Sequence, residues 1–405
     1  MPVAAPALPY RLIDADSHYY EPDDCCTRHL ETRYRARAVH CVRAADGSGE
    51  WRFGERPLCF HRGARDFVLP PGGLQEFIAG RATADPEQMP KVIASDQPAF
   101  RDREARLRAL DKFGVEAALV LPSFGVSWDA ETMDDPDAHY ANLRAFNRWV
   151  EEDWGFAWRE RIFAPALLSL VDPERAVAEL ERLLAAGVRL VAIRPGPIGG
   201  RSPADPVFDP FWGRVNEARL PVVLHIGVSG YMQTLGALWG EDPDVAEHEM
   251  SPFQWVCCFG KRPIMDMVAA LVLHNLFGRF RELRMLSIEN GSTWIPGLLQ
   301  DMDKAAKFSI SSKGVLGAGS RFGRIHAAPS RIFREHFWVT PFYEDDVPAL
   351  TRCIGVERVL FGSDWPHPEG VPAPADFLKE VASLPADAQR RILRENTREL
   401  LGLPA

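Results

Sequence analysis

Short runs of β-branched and aliphatic residues recur along the chain, and stretches with helical spacing separate most of them. In the helical stretches 100–113, 174–185, 208–218 and 294–308, apolar residues return every three or four positions. Strands that alternate with helices are typical of βα units and a parallel sheet. The number of runs predicts the α/β class and, within it, a (β/α)₈ TIM barrel. The eight runs lie at 10–15, 117–121, 163–168, 190–193, 222–225, 284–288, 337–339 and 359–361.

Two segments show neither the apolar runs of strands nor the apolar spacing of helices. Residues 37–98 follow the first strand and are rich in Gly, Pro and charged residues, which predicts a long insertion over the C-terminal face of the barrel. Residues 309–331, rich in Gly, Ser and Arg, predict a second, mobile loop before the seventh strand. We therefore expect residues 1–405 to form a single barrel domain, with 37–98 as an inserted loop or lid.

Composition narrows the choice of partners. The 405 residues are 46% hydrophobic and 25% charged, the balance of an ordinary globular protein. A net charge of −9 argues against nucleic acid or an anionic membrane as the main partner. The longest apolar stretch, 267–273, is far shorter than the ~20 residues of a spanning helix. The absence of a secretory signal pattern, together with seven cysteines and no CxxC pair, predicts a cytoplasmic location.

Candidate metal ligands follow three of the predicted strands. Asp16 and His18 follow the first strand, two positions apart, so both side chains can face one ion. His225 ends the fifth strand, and Asp364 follows the eighth. The C-terminal ends of barrel strands meet around one space. Two imidazoles and two carboxylates there predict a site for one divalent ion, Zn²⁺ first, with Mn²⁺ or Fe²⁺ as alternatives.

Three further residues are candidates for work on a substrate. Glu289 follows the sixth strand and is the candidate general acid or base. Arg194, after the fourth strand, could clamp a substrate carboxylate, and a structural ion pair is the open alternative. His367 could donate to the substrate or to a ligand, and otherwise it is a surface loop residue.

Rival motifs give little support to other chemistries. The chain has no GxGxxG after a strand, no GxxxxGK[ST] and no GxSxG. The sequence therefore gives no support to nucleotide binding or to the nucleophile elbow of an α/β-hydrolase. Ser17 and Ser363 adjoin His18 and Asp364, so a serine triad can be drawn. That triad would take His18 and Asp364 away from the metal, and no oxyanion motif accompanies it.

Four motifs together resemble the amidohydrolase-related family, the branch of the amidohydrolase superfamily that includes aminocarboxymuconate-semialdehyde decarboxylase and resorcylate-type decarboxylases. They are DADSHYYEP at 14–22, HIG at 225–227, IENGSTWIP at 288–296 and FGSDWPHPEG at 361–370. The resemblance runs from about residue 11 to 401 and is weakest over 37–98. It implies a metal-dependent barrel with one divalent ion, often Zn²⁺ or Mn²⁺, in a dimer or larger homo-oligomer.

The resemblance also assigns roles by motif. Asp16 and His18 correspond to the family's His-x-His or Glu-x-His pair, His225 to its fifth-strand ligand, and Asp364 to its eighth-strand aspartate. Family decarboxylases usually carry a histidine after the sixth strand, where this chain has Glu289. A carboxylate there can deliver a proton if burial raises its pKa, and it can equally activate a metal-bound water.

The resulting prediction is a metal-dependent hydrolase that acts on a small organic acid, amide or lactone. The alternative is a non-oxidative decarboxylase of an aromatic or unsaturated carboxylic acid. A second alternative is a non-catalytic barrel subunit of a heteromer, and a third is oxygen chemistry at an iron-loaded site.

Overall fold

The computed structural model describes residues 8–404 apart from 46–47, 63, 66, 79–89 and 312–321. Within these residues, consecutive parallel strands form a barrel, and each pairs with the next along the chain. Their register sets His18 beside Leu121 and His225 beside Ile288. The strands are β1 (Leu12–Tyr19), β2 (Val115–Pro122), β3 (Ile162–Phe163 and Ala166–Leu168), β4 (Val191–Ile193), β5 (Pro221–His225), β6 (Arg284–Ile288) and β7 (Phe337–Val339).

The segment 359–361 closes the barrel between β7 and β1. The Leu360 N–H donates to the Val339 carbonyl at 2.8 Å, and the Ala15 N–H donates to the Phe361 carbonyl at 2.8 Å. Every strand predicted from the sequence therefore has a place in the barrel wall, and the (β/α)₈ prediction is confirmed.

Helices surround the barrel, and four of them match the predicted stretches. Several begin with an aspartate whose carboxylate accepts from the first turn, such as Asp102 from the Ala105 N–H at 2.7 Å and Asp135 from the Ala138 N–H at 3.1 Å. The longer helices are α1 (Arg103–Phe113), α2 (Pro136–Asp153), α3 (Pro173–Ala185), α4 (Asp209–Ala218), α5 (Arg262–Leu273), α6 (Ile295–Ser311), α7 (Pro329–His336), α8 (Val347–Ile354) and α9 (Asn396–Leu401). Short helical turns include Gln75–Ile78, Pro98–Arg101, Leu276–Arg279, Leu378–Val381 and Ala386–Arg390. Across the described residues, none of the helices combines the length and apolar character needed to cross a membrane.

Helix α2 was not predicted, because polar residues interrupt its buried face. Asn142 accepts from the Val39 N–H at 2.7 Å, and Asn147 exchanges hydrogen bonds of 2.8 and 2.9 Å with the backbone of Leu167. These asparagines are fully buried and serve backbone groups of neighbouring segments, so the apolar period of the helix is lost.

The predicted bounds of the mobile loop, 309–331, are wrong at both ends. Residues 309–311 belong to α6, and residues 329–331 belong to α7. Residues 312–321 lie outside the described part of the chain.

The segment 37–98 contains strands that the sequence did not predict. Val39–Arg43 pairs antiparallel with Ser48–Phe53, which also pairs with Arg56–Pro57. Phe67–Val68 pairs with Val92–Ile93. The first of these sheets packs on the barrel mouth through Trp51, whose ring stacks on Phe124 with centroids 3.9 Å apart.

A histidine in this segment makes stability sensitive to acid. His61 contacts the rings of Phe60 and Phe124, and its buried Nε2 has no hydrogen-bond partner among the described residues. Burial lowers the pKa of His61 from 6.5 to about 4. Protons therefore bind the unfolded chain more readily, and stability falls as the pH drops from 6.5 towards 4.

Through His61, the wild type is expected to lose about 2 kcal/mol of unfolding free energy between pH 7 and pH 5. His61→Phe should lose that much less over the same pH range. Urea unfolding of the wild type and the variant at the two pH values measures this difference. His40→Phe, in a strand of the same segment, controls for removal of an imidazole. An unchanged pH dependence in His61→Phe would contradict the prediction.

Candidate metal centre

Two imidazoles form the middle of a cluster at the C-terminal end of the barrel. The Nε2 atoms of His18 and His225 lie 3.2 Å apart. The Nδ1 of His18 is 3.1 Å from the Pro122 carbonyl, and the Nδ1 of His225 is 2.7 Å from the Ile226 carbonyl. Each carbonyl accepts an Nδ1–H, which leaves the Nε2 lone pairs facing each other. A proton or a metal ion between the two Nε2 atoms removes the repulsion of these lone pairs.

Three carboxylates complete the cluster. Glu289 Oε2 lies 2.9 Å from His225 Nε2 and 3.3 Å from His18 Nε2. Asp16 Oδ1 and Asp364 Oδ1 lie 3.3 and 3.5 Å from His18 Nε2. All three oxygens are buried, and within the described part of the chain none has a hydrogen bond of good geometry. Unpartnered, inward-facing carboxylate oxygens beside two imidazole nitrogens fit a divalent ion.

Two overlapping sets of donors could hold that ion. One set is Asp16, His18, His225 and Glu289. The other is His18, Glu289, Asp364 and His367. Within each set, the candidate donor atoms lie within 4.8 Å of one another. All four residues predicted as ligands therefore lie around His18, but Asp364 falls in a different set from Asp16 and His225, and Glu289 belongs to both sets.

The charges of the cluster require compensation. Burial opposes a charge on His18, but the carboxylates of Asp16 and Glu289 raise the pKa of His18 to about 10. Burial raises the pKa of Asp364 well above its ordinary value, and the negative charge of Glu289 adds to the effect. The cluster therefore retains protons unless another cation replaces them, and metal binding is expected to release protons.

Strand ends and backbone turns position these side chains. Asp16 and His18 lie two apart on β1, beside a register irregularity between Asp14 and Ser17, and the Asp16 Oδ1 and His18 Nε2 atoms come within 3.3 Å of each other. Glu289 and Asp364 follow their strands in the left-handed backbone region, at φ 54° and 55°. Non-glycine residues adopt this region rarely, and such conformations concentrate at functional sites.

An unpredicted residue, Asp14, fastens β1 to the last barrel segment. Its buried carboxylate accepts from the Asp16 N–H at 3.1 Å, and from the Ser363 N–H and hydroxyl at 3.0 and 2.5 Å. The Asp364 N–H also donates to the Asp16 carbonyl at 2.7 Å. These bonds fix the separation of Asp16 and Asp364. The signal in the sequence was its place at the start of the DADSHYYEP motif, two positions before Asp16.

His367 lies beside the cluster. Its Nδ1 is 2.8 Å from Asp364 Oδ1, its Nε2 is 2.7 Å from the Ser123 hydroxyl, and its ring stacks on His18 with centroids 4.0 Å apart. The surface-loop alternative for His367 is therefore wrong, because the ring lies within the site.

Arg194 has partners inside the protein. Its guanidinium donates to Asp129 Oδ2 at 2.9 Å, and to the carbonyls of Ser229 and Pro197 at 2.6 and 3.1 Å. This is the ion-pair arrangement that was left open from the sequence. Its role as a substrate clamp stays a prediction.

The serine-triad alternative does not fit the hydrogen bonds. The Ser17 hydroxyl donates to the Leu119 carbonyl at 2.7 Å, and the Ser363 hydroxyl donates to Asp14. Neither hydroxyl donates to an imidazole in this structure, so neither serine has an activating base.

Comparison with known proteins places the chain in a family. The sequence profile described as Amidohydrolase matches residues 13–403. A gamma-resorcylate decarboxylase from Polaromonas sp. (strain JS666 / ATCC BAA-500) is 23% identical over 322 residues, or 74% of this chain and 89% of that protein.

Solved structures agree with this placement. An amidohydrolase from Mycobacterium avium subsp. paratuberculosis K-10 is 36% identical with a TM-score of 0.88, over 98% of this chain and 100% of that one. A 5-carboxyvanillate decarboxylase from Novosphingobium aromaticivorans DSM 12444, complexed with manganese, has a TM-score of 0.62 at 14% identity, over 98% and 97% of the two chains. The latter likeness shows the barrel fold. Because the family profile spans nearly its whole length, the chain belongs to the amidohydrolase family and is a metal-dependent enzyme.

Proposed function

We propose that the protein catalyses the non-oxidative decarboxylation of an aromatic carboxylic acid. The similarity to gamma-resorcylate decarboxylase along 322 residues is the observation that carries this choice. A pocket with mainly apolar walls reaches His225, and this also supports a substrate with an apolar body.

Asp16, His18, His225 and Asp364 would hold the ion, and Glu289 could serve as a fifth donor. A bound divalent ion would supply a Lewis acid for a substrate oxygen. Zn²⁺ remains compatible with this donor set. The carboxylate oxygens and the manganese of the carboxyvanillate decarboxylase favour Mn²⁺.

The chain's own residues must hold the substrate and supply a proton. In the reaction, the bond between the ring carbon and the carboxylate breaks, CO₂ leaves, and a proton is added to that carbon. His367 lies between Asp364 and Ser123, with hydrogen-bonding distances to both, so it is placed to hold a proton beside the cluster. Glu289 is the other candidate: burial raises the pKa of its carboxyl, but His225 and His18 outweigh burial and lower it, so Glu289 is placed to accept a proton and not to donate one.

Hydrolysis is the second candidate, and the position of Glu289 favours it. Its carboxylate lies among the donors, 2.9 Å from His225 Nε2, and could accept a proton from an attacking water. The substrate would then be a small organic acid, amide or lactone, with Arg194 as a further proposed contact.

We also propose that the chain forms a homo-oligomer, which sedimentation would test.

Isotope labelling separates the reactions. Protein loaded with Mn²⁺ or Zn²⁺ is incubated with carboxyl-¹³C hydroxybenzoates in D₂O, and with amides and lactones in H₂¹⁸O. Labelled CO₂ together with deuterium at the vacated ring carbon supports decarboxylation. Uptake of ¹⁸O without CO₂ release would establish hydrolysis instead. Stoichiometric metal without turnover of any compound would contradict both and favour a non-catalytic subunit.

A further inference from the structure

A serine in the loop after β2 contacts the His367 ring. We infer that Ser123 is a positioning residue that keeps a hydrogen on Nε2 of His367, so that Nδ1 is the nitrogen that this ring presents to the metal cluster. The position of the hydrogen follows from hydrogen-bond geometry. Its consequence for catalysis rests on the proposed function, in which His367 is a candidate proton carrier.

The Ser123 hydroxyl lies between two groups. Its oxygen is 2.8 Å from the Tyr19 carbonyl oxygen and 2.7 Å from His367 Nε2. A carbonyl can only accept, so the single hydrogen of the hydroxyl is donated to Tyr19. The hydroxyl oxygen then has only lone pairs left for the imidazole. His367 therefore donates to Ser123, which puts a hydrogen on Nε2.

The other nitrogen of the ring gives an independent indication. His367 Nδ1 lies 2.8 Å from Asp364 Oδ1, but this contact lacks the alignment of a hydrogen bond. Nδ1 is buried and has no other hydrogen-bond partner among the described residues. A neutral ring with its hydrogen on Nδ1 would make no well-aligned bond there and would turn an unprotonated Nε2 towards the oxygen of Ser123. The form with the hydrogen on Nε2 avoids both penalties.

Neighbouring rings fix the direction in which the two nitrogens face. The His367 ring stacks on His18 with centroids 4.0 Å apart and meets the Tyr20 ring edge-on at 5.6 Å. Its side chain is only 12% exposed. Half a turn of the ring would put carbon atoms where Nδ1 and Nε2 now lie and would lose the bond to Ser123. The ring is therefore held with Nε2 towards Ser123 and Nδ1 towards the cluster.

Ser123 is itself held in place. It directly follows the last residue of β2, and the Glu21 carboxylate accepts from the next two backbone N–H groups, those of Phe124 and Gly125, at 3.0 and 2.9 Å. The carbonyl that accepts the hydrogen of Ser123 belongs to Tyr19, the last residue of β1. The hydroxyl thus connects the ends of two strands to a ring 244 positions further along the chain.

In the proposed decarboxylation, this tautomer decides where the transferable proton lies. A proton that His367 holds in addition to the Nε2 hydrogen is on Nδ1, beside Asp364. When the bond to the carboxylate breaks, its electron pair takes this proton to form the C–H bond of the product, and Nδ1 recovers its lone pair. A proton from solvent restores His367 for the next turnover. Ser123 stabilises the ring after the transfer, because the Nε2–H keeps its acceptor.

Nitrogen NMR of the Zn²⁺-loaded protein tests the tautomer without any turnover. Zn²⁺ is chosen because it is diamagnetic, unlike Mn²⁺. In protein labelled with ¹⁵N-histidine, long-range ¹H–¹⁵N correlations distinguish a protonated ring nitrogen from an unprotonated one, and the signals missing from His367→Gln are those of His367. We expect Nε2 to carry a hydrogen. An unprotonated Nε2 beside a protonated Nδ1 would overturn the inference.

Two variants of equal shape test the role of the hydroxyl. Ser123→Thr keeps a hydroxyl, whereas Ser123→Val has the same size without one. We expect the first to keep the hydrogen on Nε2 and the second to shift the tautomer ratio towards Nδ1–H by about ten-fold. Ser202→Ala is the control, because it removes a 2.8 Å contact with His274 Nδ1 and should leave the His367 signals unchanged. The same tautomer ratio in both Ser123 variants would overturn the role of Ser123.

CO₂ release reports on the reaction separately. With a hydroxybenzoate that the wild type decarboxylates, kcat of Ser123→Val should be about ten-fold below that of Ser123→Thr, with KM values within about two-fold of each other. Equal kcat values despite a shifted tautomer would overturn the placement of the proton on Nδ1. A wild type that releases no CO₂ would reject the proposed reaction and leave the tautomer result standing. The wild-type spectrum does not depend on any variant folding.

Discussion

Replacing His225 with alanine is expected to abolish tight metal binding and to lower turnover at least about 10³-fold, the equivalent of about 4 kcal/mol of lost Lewis-acid stabilisation. The variant loses the imidazole donor of His225. The carboxylates of Asp16, Glu289 and Asp364 remain close together, with less positive charge to offset their mutual repulsion. Elemental mass spectrometry of both proteins measures the metal directly.

A stability measurement gives an independent reading. Metal at about 100 times its Kd should stabilise the wild type by about 2.7 kcal/mol, and this increment should be absent in His225→Ala. His274→Ala is the matched control, because that imidazole lies just after α5 and contacts Ser202, away from the cluster. One full equivalent of tightly bound metal in His225→Ala would refute the assignment of the site.

Replacing Glu289 with glutamine is expected to lower turnover about 10²- to 10⁴-fold, the range for loss of a general acid or base. The amide retains the shape of the side chain but cannot exchange a proton at neutral pH. Asp16, His18, His225 and Asp364 remain as donors, so we expect at least half of the metal to be retained. Turnover measured at saturating metal, with metal content determined on the same sample, separates the two effects.

Glu282→Gln controls for the loss of a carboxylate, because Glu282 is exposed and lies before the start of β6, at the opposite end of that strand. If metal content in Glu289→Gln falls in proportion to activity, Glu289 acts as a ligand and the proton carrier must be sought in His367. If activity is unchanged, neither role for Glu289 survives.

Some of the site followed from the sequence because it depends on local rules. The order of apolar runs indicated the barrel, and parallel barrel strands all end on one face. Asp16, His18 and His225 lie in the C-terminal halves of their strands, and Glu289 and Asp364 follow theirs, so their convergence could be expected without knowing any distance.

Features that depend on partners distant in the chain were missed. The buried polar face of α2 is understandable only once Asn142 and Asn147 are seen to satisfy backbone groups of other segments. The role of Asp14 depends on Ser363, which is 349 positions away. The strands within 37–98 form by pairing across a segment whose composition suggested only loops.

The sequence by itself determined the barrel and the set of groups at its mouth, because strand periodicity and strand ends are properties of contiguous residues. The tertiary structure alone decided that Glu289 lies among the candidate metal donors, that His367 stacks on His18, and that Arg194 is paired with Asp129. Hydrogen bonds and ion pairs of this kind depend on separations of a few tenths of an ångström between residues far apart in the chain, and only the folded arrangement fixes those separations.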